Sequence, residues 1–323
     1  MIDDSGQSAN SPTALPRRGW KQVALRTWRE SSADNVGLIA AGVAFYTFLA
    51  LVPLLGATVL TYGLVADMKT VGEHITRLTT IMPSEVGELI AEQLANVVAT
   101  SGAKKGIGLL LAIGVALFGA RNAAGSIVTA LNIAYEEEED RGFLKVNMLA
   151  LVITLGAVLT AALGMLGAGA MRYMPIALPN AGIGLLSVSR VATYAALALM
   201  AATGAALLYR YGPARDRPKW RWLTPGSILF AVAWVLLTIG FGFYVSRFGS
   251  YGATYGSLSA VVVLLTWIYL SAYALLFGAE LNSELEHQTA RDTTAGPERP
   301  LGTRGAWVAD HVANSAGPVS PER

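Results

Sequence analysis

The segment GLLLAIGVALFGARNAAGSIVTALNIAYEEEED, residues 108–140, has a charged residue inside a long apolar run. It begins with apolar residues and glycines, places Arg121 and Asn122 at its middle, and ends in five acids, Glu136 to Asp140. A helix that spans a bilayer needs about 20 apolar residues, and this segment reaches that length only with Arg121 inside it. The segment therefore predicts a membrane-spanning helix that carries a permanent positive charge.

The composition of the whole chain also predicts a membrane protein. Hydrophobic residues make up 53% of the 323 positions and charged residues only 14%, and the mean hydropathy is +0.47. Soluble domains carry about 25% charged residues, so this chain lacks the polar groups that a water-exposed surface of its size requires. Cysteine is absent, which excludes disulfides and thiolate metal sites.

Long stretches with few or no charges predict a bundle of transmembrane helices, an all-α polytopic fold, because a bilayer admits only helices or closed barrels. Residues 17–286 form this domain, and six spans are expected, at about 37–64, 106–134, 146–170, 188–209, 225–246 and 256–281. Three further segments have their own patterns. Residues 83–102 predict an external amphipathic helix between the first two spans, residues 17–30 predict a short surface helix or a basic flank, and residues 1–16 and 287–323 predict disordered tails.

The distribution of Lys and Arg predicts the orientation. Six spans place both termini on one side, together with the loops 136–145 and 210–221. The N-terminal segment holds five basic residues, the two loops two and five, and the C-terminal segment four, which is 16 of the 24 in the chain. Basic residues are enriched in loops on the cytoplasmic side of a membrane. The chain is therefore expected in a bacterial cytoplasmic (inner) membrane, with both termini in the cytoplasm.

Arg121 needs a compensating partner, because a charge near the bilayer centre costs about 2.5–3.5 kcal/mol on insertion scales. It could snorkel to a surface, although long apolar runs on both sides place each surface far away. It could pair with Glu280, the only acid within the spans, or it could face a hydrated cavity and bind an anionic substrate. We favour the cavity and predict that Arg121 shares it with Asn122 or Asn132 and with hydroxyls such as that of Tyr46.

Two other groups of polar residues have alternative interpretations. Asn122, Ser126 and Thr129 share one helical face, and they either line the cavity or act as hydrogen-bonding contacts between helices. Glu280 lies where the last span meets the cytoplasm, and we expect it to pair with Arg121 or with a basic residue of the 210–221 loop. The alternative is a helix-end acid in water, and Asn282 is expected to be a solvated amide.

Several stretches resemble the YihY/BrkB family of bacterial inner-membrane proteins, and the resemblance covers about residues 20 to 286. They are AAGVAFYTFLALVPLL (40–55), ARNAAGSIVTALNIAYEEEEDRGFLK (120–145), YRYGPARDRPKWRWLTPGSILFAVAW (209–234) and YGATYGSLSAVVVLLTWIYLSAYALLFGAELNSELE (251–286). The last stretch, which contains residues 278–282, is the most diagnostic. The resemblance implies six spans with both termini inside, in agreement with the distribution of basic residues.

The resemblance leaves the function open, because older names in the family refer to a tRNA-processing ribonuclease and others to serum resistance or lipid export. A nuclease needs a metal cluster or a general acid–base pair, and His74, His287 and His311 have no metal-ligand spacing. We expect no enzyme activity, cofactor, metal or nucleic-acid partner. The favoured function is a transporter or flippase of an anionic amphiphile, of the phospholipid or lipid A precursor type, with membrane lipids as partners. The alternative is a non-catalytic membrane scaffold or envelope-integrity protein.

Overall fold

The fold is all-helical in the residues that the computed structural model describes, which are 5–65, 102–177, 183–248 and 258–313. A short 3-10 turn, Pro12–Ala14, precedes the first helix. The α-helices are α1 (Arg17–Ala33), α2 (Val36–Val65), α3 (Gly102–Ala134), α4 (Phe143–Ala177), α5 (Ile183–Tyr211), α6 (Trp220–Phe248), α7 (Leu258–His287) and α8 (Trp307–Asp310). Within these ranges the β-type pairing is a single isolated bridge between Pro218 and Thr294. The predicted all-α class is confirmed.

The six long helices, α2 to α7, coincide with the six predicted spans. By length and composition, α3 to α7 each contain a segment able to cross a membrane, and the bent pair of α1 with the first half of α2 is a sixth candidate. The predicted amphipathic segment 83–102 lies outside the described residues, except for Gly102 at the start of α3. The expected helix at 17–30 is present as α1, which packs against α7 and α2.

The six long helices follow one another around a ring in chain order. Each of α2 to α6 packs against the next helix, and α7 closes the ring by packing against α2, with a further contact to α3. Helices α4 and α5 touch only their ring neighbours closely, and almost all of their spanning segments remain unburied within the chain. Apolar side chains on such surfaces suit contact with lipid.

Two residues in the left-handed backbone region end helices at sharp turns. Asn35, with φ of 54°, separates α1 from α2, and the two axes differ by 61°. Glu136, with φ of 55°, follows α3, and the Glu137 N–H bonds to the Asn132 carbonyl while the Glu136 N–H bonds to that of Ile133. This pair of bonds is a Schellman motif, which satisfies carbonyls that a helix end otherwise leaves without partners.

The best-buried core lies at one end of the ring, which we call the termini side. This end contains the segments 135–142 and 212–219 and both described ends of the chain. Its apolar core joins α2, α3, α5, α6 and α7 through residues that include Val36, Leu131, Tyr209, Leu223 and Leu276. A second cluster, formed by Ala9, Leu15, Val23, Trp222 and Leu285, attaches α1 to this end.

The described parts of both tails are folded, which corrects the expectation of disorder for residues 5–16 and 287–313 within the predicted tails 1–16 and 287–323. In residues 288–313, Arg304 is buried and its guanidinium donates to main-chain carbonyls of Ala290, Arg291, Arg299 and Ala309. The N-terminal segment adds main-chain acceptors at Gln7 and Ala9 for Thr289. The composition of residues 288–313 did not predict this order, because the segment folds through buried polar contacts with the rest of the chain and not through an apolar core.

Candidate functional site

Arg121 lies in the middle of α3, roughly 20 Å from the helix end at Ala134 for a rise of about 1.5 Å per residue. Its side chain is exposed and meets α4: Nε donates to Asn147 Oδ1 at 2.5 Å, and the guanidinium carbon lies 5.4 Å from the centroid of the Phe143 ring. Asn147 and Phe143 belong to the first turns of α4. The arginine therefore extends along the contact line of these two helices, the α3–α4 seam, towards the termini side.

This placement differs from the predicted interior cavity. The extended arginine is the snorkelling geometry that the sequence analysis disfavoured, and it is possible because a long side chain can carry its charge towards the interface. The neighbouring helix supplies an amide oxygen and an aromatic face as partners. No hydrogen bond or ion pair joins Arg121 to Asn122, Asn132, Tyr46 or Glu280, all of which lie within the described ranges.

The remaining polar residues in the middle of the bundle also lie apart. Tyr46 on α2 is 43% exposed, and its ring contacts that of Phe45 at 5.7 Å. Asn122 is half-buried and Thr129 is exposed, whereas Ser126 donates to the Ala123 carbonyl of its own helix. The serine is therefore satisfied locally rather than by a partner on another helix.

Asn132 joins α3 to two loops on the termini side. Its side chain is buried; Oδ1 accepts from the Ala214 N–H at 2.8 Å, and Nδ2 donates to Glu139 at 3.1 Å. Glu139 is held in turn by Arg141 through two bonds of 2.7 and 2.6 Å, and Arg141 donates to the Gly212 carbonyl at 2.8 Å. This arrangement gives Asn132 a packing role, and the acidic run 136–140 is partly engaged instead of fully solvated.

Glu280 is buried, with 2% of its surface exposed, and its Oε1 has no hydrogen-bond partner. The predicted ion pair with Arg121 or with the 210–221 loop is wrong among the described residues, since each of their ion pairs involves another acid. The alternative of a helix-end acid in water is also wrong. The charged groups that act on Glu280 most strongly are acids.

Asn282 fastens α6 to α7 and is fully buried, which corrects the expectation of a solvated amide. Its Oδ1 accepts from the Gly226 N–H at 2.8 Å, and its Nδ2 donates to the Leu223 carbonyl at 3.2 Å. Pro225 lies inside α6 and has no N–H to continue the helical ladder. The asparagine therefore satisfies main-chain groups on both sides of the proline.

Arg215 and Glu286 form a buried ion pair that the sequence analysis missed. Two bonds of 2.7 and 3.3 Å join them, neither side chain is exposed, and Thr293 donates to the same carboxylate at 2.7 Å. Burial alone would lower the pKa of Arg215, but the adjacent Glu286 carboxylate more than offsets this and raises it. The only available signal was the pair of acids, Glu284 and Glu286, immediately after the last apolar span.

The C-terminal segment also contacts the acidic run directly. The Trp307 N–H donates to Glu137 Oε1 at 2.7 Å, and the Trp307 ring packs against the rings of His287 and His311. Burial raises the pKa of Glu137 to about 7, against the opposing effects of this hydrogen bond and of Arg215. The described residues contain no group of three or more His, Cys, Asp and Glu side chains that could hold a metal ion.

Proteins similar to this chain include UPF0761 membrane proteins of bacteria and a ribonuclease-like protein. The ribonuclease-like protein YfkH of Bacillus subtilis is 31% identical over 55% of this chain and 66% of its own. UPF0761 membrane proteins of Alteromonas mediterranea and Rhodospirillum centenum are each 29% identical, over 78% and 85% of this chain and 83% and 60% of their own lengths. Several curated relatives are thus longer than the part that this chain matches, and no solved structure matches.

The family model described as virulence factor BrkB matches residues 27–302, which covers most of the chain. The match includes the termini-side segments 135–142 and 212–219, the Glu280–Glu286 stretch and the first part of the folded C-terminal segment. It agrees with the resemblance inferred from the sequence and with the UPF0761 membrane proteins among the relatives. The chain is therefore a membrane protein of the virulence factor BrkB family.

Proposed function

We propose that this protein moves an anionic amphiphile, of the phospholipid or lipid A precursor type, across a membrane as a transporter or flippase. The observation that carries the proposal is the exposed Arg121 side chain at the α3–α4 seam, inside a segment able to span a membrane. In this proposal the lipid headgroup moves along the α3–α4 seam, and not through the interior cavity that was predicted from the sequence.

The chemistry of the seam suits a lipid with a phosphate headgroup. Arginine stays charged in any protein environment, and its planar guanidinium matches phosphate oxygens through paired hydrogen bonds. Apolar residues of α4 are exposed beside it, and they could contact acyl chains while the headgroup passes Arg121; they are Met148, Leu151, Val152 and Leu155. The guanidinium lies at the first turns of α4, where it offers a positive charge to an anionic headgroup that enters the span.

We propose a bacterial inner-membrane location with both termini in the cytoplasm, and no nucleic-acid partner. The ribonuclease-like name of YfkH raises the question of RNA binding by the 210–221 loop. Arg215 pairs with Glu286, Lys219 donates to the Asp292 carbonyl, and Arg210 donates to that of Pro218. These bonds give three of the five basic residues an intramolecular partner, which favours a role in folding and orientation over contact with RNA.

A non-catalytic scaffold is the alternative function, and the polar contacts of the termini side favour it. Asn132, Asn282 and the Arg215–Glu286 pair each connect segments of the chain that are distant in sequence. A protein that only supports the envelope would need such packing contacts but no charge at the α3–α4 seam. The two functions therefore differ in what they require of Arg121.

Lipid movement in reconstituted vesicles tests the proposal. The full-length protein is placed in vesicles with labelled anionic or zwitterionic phospholipids, and transfer between leaflets is followed. We expect anionic lipids to move faster, Arg121→Ala to abolish this movement, and Arg121→Lys to retain part of it because lysine keeps the charge but not the fork.

Lys145→Ala is the matched control, because Lys145 is an exposed cation in the first turn of α4. It should leave both movement and folding unchanged. Normal lipid movement by the folded Arg121→Ala protein would contradict the proposal. A loss of yield and thermal stability in step with activity, for both Arg121 variants, would instead support the scaffold.

A further inference from the structure

Glu280 stands out because it is an acidic side chain that the fold buries without giving its Oε1 a hydrogen bond. It lies on α7, seven residues before the helix ends at His287, which corresponds to roughly 10 Å along the axis. Helix α7 is covered at this end by α1 and packs against α2, α3 and α6. A buried polar atom without a partner costs free energy, so its presence calls for a ligand or a function.

The charged groups that act most strongly on Glu280 come from three parts of the chain and are acids. Glu30 and Asp34 belong to the end of α1, Glu284 lies one turn further along α7, and Glu136 follows α3. The nearest basic groups are engaged elsewhere. Arg26 bonds to Glu284 at 2.5 Å, His287 lies 3.9 Å from the same residue, and Arg215 is paired with Glu286.

A second buried polar atom lies in the field of Glu280. The Tyr135 side chain, at the end of α3, is fully buried, its hydroxyl faces the Asn282 side chain, and it interacts electrostatically with Glu280. A protonated carboxyl can donate and accept hydrogen bonds, and so can a phenol. The Tyr135 hydroxyl therefore does not require an ionised Glu280 as its neighbour.

The nature of the missing partner follows from the charges. A buried carboxylate needs a cation, and the cations of this cluster, Arg26 and His287, are engaged by Glu284. A divalent metal ion would need several carboxylates or imidazoles, and the described residues hold no group of three that could bind one. A proton needs one oxygen and removes the charge entirely.

We propose that Glu280 is a reversible proton-binding site. On release, the carboxyl O–H bond breaks, the electron pair stays on the oxygen, and termini-side water accepts the proton. This inference rests on the proposed lipid transport only in that the proton would be its coupling ion.

Infrared spectroscopy of the full-length protein tests the site independently of transport. At neutral pH we expect carbonyl absorption from protonated carboxyls that shifts in deuterated water; one component should be lost in Glu280→Gln, and the component of Glu137 should be lost separately in Glu137→Gln. Glutamine has the shape of the neutral acid, so the Glu280→Gln variant should fold. If Glu280→Gln does not fold, Glu280→Asp provides the second test, because it should shift the frequency of the band. Glu138→Gln, which alters an exposed acid, should leave the band intact.

The absence of a band that depends on Glu280 would overturn the proposal. So would a sodium-dependent rise in Tm that wild type shows and Glu280→Gln lacks, because it would identify an alkali cation as the ligand.

Transport in vesicles with a pH gradient tests the coupling. For one proton per lipid, a gradient of one pH unit should change the rate of wild-type lipid movement by up to about tenfold. The Glu280→Gln variant should move lipid at a rate that does not depend on the pH gradient. Wild-type movement that is equally insensitive would overturn the coupling. If wild type moves no lipid under any condition, the proposed function fails, and the infrared band still decides whether Glu280 binds a proton.

Discussion

At the scale of single residues, buried amides and acids form many of the polar contacts that connect the segments of the termini side. Asn132, Asn282 and Glu286 each use their side chain to reach a segment distant in sequence. Arg121 differs, because it is exposed and its described contacts stay on the neighbouring helix. Buried polar residues with complete hydrogen bonding specify a structure, whereas an exposed charge in a span is available for a ligand.

Asn282→Ala should destabilise the protein, because it leaves the Gly226 N–H and the Leu223 carbonyl without this partner in a buried setting. Each unsatisfied buried group costs about 1–3 kcal/mol. We expect a clear drop in Tm of the detergent-solubilised protein, measured by intrinsic fluorescence. Asn122→Ala, which shortens a half-buried amide in α3, should change Tm much less. Equal Tm values for the two variants would contradict the assigned role.

At the scale of elements, the contact of α6 with α7 depends on two glycines. A Cβ on Gly278 would lie 2.5 Å from Tyr209 Oη and 2.7 Å from the Gly226 carbonyl oxygen, and one on Gly226 would overlap the Gly278 carbonyl. Only glycine allows the two backbones to approach this closely. The same approach brings Asn282 within hydrogen-bonding distance of the α6 main chain.

Gly278→Ala should therefore force α6 and α7 apart and destabilise the bundle, since overpacking costs about 1–3 kcal/mol. Gly240 is the matched control, because it lies on α6 in open space, where an added Cβ would meet no atom within 4 Å, and Gly240→Ala should be tolerated. The measurement is the yield of monodisperse protein together with Tm. An unchanged Tm for Gly278→Ala would show that the helix pair tolerates a wider spacing.

The elements were predictable from sequence to a greater extent than their contacts. Long apolar runs with few or no charges predicted all six long helices, because a helix is the simplest way to satisfy every backbone group in lipid. The environment of Arg121 and Glu280 was not predictable in this way. It depends on which helices become neighbours and on how far a flexible side chain extends, and hydropathy contains neither. The order of residues 288–313 depends likewise on partners elsewhere in the chain.

At the scale of the whole molecule, the termini side is a folded cap over the ring of helices. Residues 288–313 connect to the N-terminal segment through Gln288 and Ser5, to the 212–219 segment through Lys219 and Thr293, and to the acidic run through Trp307 and Glu137. The Arg215–Glu286 pair lies beneath this cap. A change in the protonation of one cap residue can therefore alter the attachment of the whole segment.

Glu137 is the cap residue for which a pH effect can be derived. Burial raises its pKa from 4.5 to about 7, so between these values the folded protein holds a proton that the unfolded chain releases. Its contribution to stability is complete below about pH 4.5 and is lost as the pH rises through about 7. Glu137→Gln keeps an oxygen for the Trp307 N–H but does not titrate, so its stability should lack this loss.

The measurement is Tm for wild type and Glu137→Gln from below pH 4.5 to above pH 7, combined with proteolysis of the 288–313 segment. As the pH rises through this window, the variant should gain stability relative to wild type and its segment should become the more resistant to cleavage. Glu138→Gln, a change at the exposed neighbour, should follow the wild-type curve. Parallel curves for wild type and Glu137→Gln would mean that the Glu137 carboxyl ionises as freely in the folded protein as in water, and that the contact with Trp307 does not depend on its proton.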